Sequence, residues 1–232
     1  MTNPEVLVRF GFSLDRGGAH LARTMMLNEL TLLLAYVNDS EANKDDYIKA
    51  IVNDNCLGKR SLSTRKLTAN YLVNQYALDL DCAIFRSMLF FWNRDEEGRP
   101  LLALLCSYTR DAILRASMPV ILAKAEGCIV GREDLEQFIE QTNPLRFSKA
   151  TLKSAAQNIN STSTQAGYTV GRAKKIRTRA KPTPGSVAYA LFLGYITGVR
   201  GESLLEMEYA KLLDCSSGRI IEQRLWYRLS NQ

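Results

Sequence analysis

Apolar residues recur at helical spacing along most of the chain. Ala69, Leu72, Val73, Tyr76 and Leu80 follow i, i+3, i+4, i+7, i+11, one face of a helix. Leu152, Ala155, Ala156 and Ile159 repeat that spacing in a segment whose other positions are polar. A helix is predicted over 18–37, capped by Asp15, with Leu21, Met25, Leu32 and Tyr36 turned inward. Shorter amphipathic helices follow at 45–54 and 131–144, the second closed by Asn143-Pro144. The run CAIFRSMLFFW (82–92) is apolar nearly all round and reads as buried. A helix over 101–118 is predicted to bend or break at Pro119, which lacks the amide that a helix interior needs. Ser61 or Ser63 is placed to cap the helix that carries Ala69 and Leu72. Thr183 and Pro184 open another, and Gly198 closes it. Helices at 202–213 and 218–229 complete the set.

Strand patterns are nearly absent. The one candidate is Tyr168–Val170 facing part of 174–179, a two-stranded wing. The expected fold is therefore all-α: two packed helical bundles with one short β-hairpin near 168–179. A boundary falls near 141–148, giving a helical domain over 1–144 and a basic helical domain over 145–232.

Composition narrows the class. At 46% hydrophobic and 23% charged, the 232 residues are those of a globular protein with a real core. Five cysteines, an odd number with no C-x-x-C pair, fit reduced thiols in a cytoplasm better than a disulfide framework. The first residues lack the basic and apolar regions of a signal peptide. The greasiest stretches, 30–37 and 100–106, are far shorter than the roughly 20 residues that cross a bilayer. No membrane partner is expected.

Catalytic patterns are missing. His20 is the sole histidine and sits in a helical context. No His, Cys and carboxylate spacing converges on a metal. LGKRS (57–61) lacks a phosphate loop's earlier glycine, because position 53 is Asn. The glycines of GYITGVRG (194–201) are those of a helix end. The pairs Asp45–Asp46, Glu96–Glu97 and Glu133–Asp134 lie in turns or at helix starts, where the dipole favours them. No enzyme, cofactor, metal or small-molecule substrate is expected.

Charge changes the picture most. The formal net charge is +6, and it is uneven: residues from Phe147 onward carry 13 basic and 5 acidic side chains, the first 146 carry 17 and 19. Six of the ten residues from Arg172 to Lys181 are basic: Arg172, Lys174, Lys175, Arg177, Arg179 and Lys181. None of the ten is acidic. Such density repels itself unless an anion compensates it, and arginine's planar fork suits phosphate and guanine edges. The preceding helix exposes Lys149, Lys153, Gln157, Asn158 and Asn160, side chains of the kind that contact phosphates and bases. A second cluster, Lys59, Arg60, Arg65 and Lys66, lies at a helix start, where free backbone amides and cations together make an anion site. Duplex DNA is the expected partner of these cations. A solvated loop and an acidic protein partner are the competing readings.

Four segments, KRSLSTRKLTANYL (59–72), LLALLCSYTRDAILRASMPVIL (101–122), FSKATLKSAAQNINSTSTQAGY (147–168) and PTPGSVAYALFLGYITGVRGESLLE (182–206), resemble, in order, the BrxA family of bacterial BREX phage-defence systems. The resemblance implies a cytoplasmic, all-helical, non-enzymatic protein with a NusB-like fold that binds nucleic acid, DNA in particular, with other BREX components as further partners. It leaves open an adaptor that docks an acidic partner protein, and an RNA-binding regulator of the antitermination type.

Overall fold

The computed structural model describes residues 3–39 and 41–229, with side chains described as far as Gln223. Helix accounts for 61% of the chain. The α-helices are α1 (Pro4–Phe10), α2 (Leu27–Tyr36), α3 (Lys44–Val52), α4 (Leu62–Tyr76), α5 (Ala83–Trp92), α6 (Arg99–Arg110), α7 (Ala112–Leu122), α8 (Arg132–Thr142), α9 (Lys149–Gln165), α10 (Pro184–Ile196), α11 (Glu208–Lys211) and α12 (Ser217–Leu229). Strands β1 (Thr169–Val170) and β2 (Ile176–Arg177) pair antiparallel between α9 and α10, with Thr169 opposite Arg177 and Val170 opposite Ile176. The expected all-helical fold with one short hairpin is the observed one.

Local chemistry sets the helix ends. Ser61 caps α4 by accepting from Thr64 N–H, and Ser148 caps α9 by accepting from Thr151 N–H. At α10 the Thr183 hydroxyl accepts from Ser186 N–H while Thr183 N–H donates to Ser186 Oγ, a closed capping box with Pro184 just inside. Gly198, φ 94°, takes the left-handed conformation beyond the last turn.

Three predicted helices come apart, the first where side chains distant in sequence hold the backbone. The helix expected over 18–37 is a 3₁₀ turn at Ala19–Leu21 and then α2. Between them Met25 N–H donates to Thr162 Oγ1, Tyr76 Oη donates to Met25 O, and Gln75 Nε2 donates to Thr24 O. Met26 turns left-handed, so α2 starts in a new phase. Leu30, Leu33 and Leu34 are buried, while Leu32 and Tyr36 are exposed and Leu21 is half-buried. The helix expected over 101–118 breaks at Asp111, extended at φ −124°, ψ 107°, and Pro119 lies inside α7. The segment 202–213 divides into a 3₁₀ turn, Gly201–Glu206, and α11.

Helices from both sides of residue 144 share one hydrophobic core. α10 packs on α5 and α6, and α9 packs on α7, α8 and the 3₁₀ turn at Ala19–Leu21. Tyr189 of α10 donates to Ile84 O at 2.9 Å, and Tyr168 donates its hydroxyl to Leu212 O. This packing seats α9 and the hairpin side by side on the core.

Candidate nucleic-acid interface

The basic segment is an ordered hairpin with a second flank. Residues 127–130 run along the free side of β2: Gly127 N–H donates to Arg177 O, Arg177 N–H to Cys128 O and Val130 N–H to Lys175 O, at 2.8–2.9 Å. Alternation along β2 sets its two residues on opposite sides. Ile176 is partly exposed, and Arg177 faces inward.

Arg177 corrects the expectation of six cations on a solvated arm. It is 3% exposed, and its Nη2 lies 2.8 Å from Asp214 Oδ1. Its Nε donates to Ile121 O, and Nη1 donates to Tyr168 O and Thr178 O. Every arm of the guanidinium has a protein partner. Arg179, still exposed, pairs with Glu126 at 3.3 Å. The missing counter-charges are thus supplied by Asp214 and Glu126, far away in sequence.

Arg172 and Lys174 stand exposed at the hairpin tip, with Lys181 exposed farther on. Lys175 is half-buried, and its Nζ donates to Gly171 O at 2.8 Å. The tip overhangs a groove of about 700 Å³. Arg172, Lys174 and Lys175 line one side, Gln157, Asn160 and Ser161 of α9 another, and Ile129 and Arg132 a third. Lys149 and Lys153 are exposed on α9 two turns and one turn before Gln157. At 1.5 Å per residue they extend the strip by roughly 12 Å.

Not every expected contact joins this strip. Asn158 donates its amide to His20 O at 3.0 Å and serves the core. Arg132 was missed because the acids that follow it dominate a sequence reading; it pairs with Glu133 at 2.6 Å and Glu136 at 2.8 Å.

The second cluster is partly committed. Lys59 pairs with Glu29 at 3.0 Å, and Arg65 donates to the carbonyls of Lys59 and Val52. Arg60 and Lys66 remain exposed.

Among the described residues no three His, Cys, Asp or Glu side chains are placed to hold a metal. Among them, too, no helix is long and apolar enough to cross a membrane. The cysteines are free thiols. Burial pushes the Cys106 thiol up to about 12, so it stays protonated.

No protein-family model matches the chain, and no curated protein matches it.

Proposed function

We propose that the protein is a non-enzymatic, cytoplasmic DNA-binding accessory component of a bacterial BREX defence system, gripping duplex phosphates along α9 and the hairpin tip. The observation that supports this most is the convergence of Arg172, Lys174 and Lys175 on a groove walled by the amides of α9. Cations beside hydrogen-bonding side chains are what phosphate positioning and base contact require. The resemblance of four segments to the BrxA family supports the defence role.

The test is a mobility-shift titration of the whole chain against duplex DNA, RNA of the same sequence and heparin over a range of salt. Duplex DNA should bind more tightly than RNA, with log K falling linearly in log salt. Preference for RNA would favour the antitermination-like regulator. Equal binding to heparin and DNA, without length dependence, would favour the adaptor that docks an acidic protein.

A further inference from the structure

Asn160 stands in the wall of the groove, only 6% exposed, and no hydrogen bond reaches its Oδ1. Three other polar residues of α9 are satisfied. Ser163 Oγ donates to Ile159 O at 2.9 Å, Thr164 Oγ1 to Asn160 O at 3.0 Å, and Asn158 Nδ2 to His20 O at 3.0 Å. A buried carboxamide oxygen without a donor lowers stability, so it needs a reason to be there. The groove it lines is the one overhung by Arg172 and Lys174.

We infer that this groove receives a nucleobase and that Asn160 reads its edge, with adenine the base that fits. This rests on the DNA-binding reading above. A carboxamide offers one acceptor and one donor. In the major groove adenine alone presents the complement, an N6 amino donor beside the N7 acceptor; guanine shows two acceptors, thymine one acceptor, and cytosine one donor. Arg172 and Lys174 are phosphate grips, which fix the register without reading sequence. Ile129, 54% exposed on another wall, offers an apolar surface to a base or a thymine methyl. Gln157, three residues before Asn160 and exposed, supplies a second amide on the same face.

The experiment selects binders from a randomised duplex library with the whole chain, then repeats the selection with Asn160→Ala and Asn160→Ser. The wild type should enrich adenine at one position by about 5- to 150-fold, the discrimination of a single bidentate amide pair. Both variants should lose that enrichment yet keep the affinity for random duplex and its salt slope. Their melting temperatures should hold or rise, because an unsatisfied group has been removed. Steep salt-dependent binding by the wild type without base preference overturns the inference and leaves DNA binding standing. So does a variant that retains the adenine preference, or a fall in melting temperature with both substitutions, which marks Asn160 as structural. A wild type that binds no nucleic acid overturns both readings.

Discussion

His20 Nδ1 lies 2.8 Å from Asp111 Oδ2, with both side chains closed to solvent at 0% and 1% exposure. The carboxylate can only accept, so the imidazole donates. The same carboxylate accepts from His20 N–H, Ile113 N–H and Leu114 N–H at 2.9 Å. On the other side of the ring, Nε2 lies 2.9 Å from Thr162 Oγ1, which also accepts from Met25 N–H. An acid, a histidine and a hydroxyl in line suggest a hydrolytic triad. Here the Thr162 side chain is fully enclosed, so this line of three has no open end for a substrate. Its work is structural: it ties the 18–25 segment, the start of α7 and the last turn of α9 together.

Asp111 therefore governs stability and its pH dependence. Burial alone would raise its carboxyl, but His20 and the backbone amides outweigh that and hold it below the ordinary range. A depressed folded value stabilises above the unfolded value of about 3.9 and loses that contribution as pH falls through the folded one. Urea melts should show stability declining below about pH 4. Asp111→Ala should cost at least about 3 kcal/mol at neutral pH and remove most of the acid-linked decline.

Arg177 and the hairpin-tip cations should separate stability from binding. Arg177→Ala leaves Asp214 without its partner in a largely buried site and should destabilise by roughly 3–5 kcal/mol. Replacing Arg172, Lys174 and Lys175 together by Ala should leave the melt nearly unchanged and flatten the log K against log salt slope by nearly 3 units. Chemical melts and salt titrations of the two variants read both effects. A triple variant that keeps its slope removes the tip from the interface.

Arg179→Ala should change stability by less than about 1 kcal/mol, because its pair with Glu126 is exposed and screened by solvent. Set beside Arg177→Ala in the same urea series, it tests whether burial, rather than charge, distinguishes the two arginines.

Gly185→Ala should be strongly destabilising although alanine favours helix. Gly185 N–H donates to Asp95 Oδ2 at 2.8 Å, and an added Cβ would lie 2.4 Å from that oxygen. The same carboxylate accepts from Gly98 N–H at 3.0 Å, so displacing it loosens the α5–α6 turn as well as the start of α10. The melting temperature should fall by several degrees; an unchanged value would mean that Asp95 swings away at no cost.

Leu191→Ala should destabilise by roughly 2 kcal/mol, near the lower end for buried leucines, because at 9% exposure it sits at the edge of the core. A urea melt measures it.

Much of the fold was legible in local patterns. Of the stripe Ala69, Leu72, Val73, Tyr76 and Leu80, Ala69, Leu72 and Tyr76 are buried on α4, Val73 is half-buried and Leu80 lies beyond the helix end; Leu152, Ala155, Ala156 and Ile159 are buried on α9. The caps at Ser61 and Thr183 act through atoms three residues away, so spacing alone reveals them. The hairpin was visible because its partners lie close in the chain. Of the candidate site, Arg172, Lys174, Lys149 and Lys153 remain exposed, with Lys175 half-buried beside the groove. Arg177, Lys59 and Arg65 do not remain free, because their partners Asp214, Glu29 and Val52 lie 37, 30 and 13 residues away.

The sequence by itself thus determined what depends on neighbours within a few turns: helical period, caps, the proline and glycine at the ends of α10, and the excess of positive charge in the last third of the chain. Tertiary structure alone decided which backbone was withheld from helix and which cations met water. The 18–26 segment has helical periodicity, yet Asp111, Thr162, Gln75 and Tyr76 offer its amides and carbonyls buried partners that a continuing helix would forgo. Arg177 and Lys174 are alike in charge and three residues apart. β-alternation turns the first toward the core, where Asp214 offsets its desolvation, and the hairpin turn leaves the second in solvent above the groove. A charge's role depends on what the fold places against it, and no local pattern carries that information.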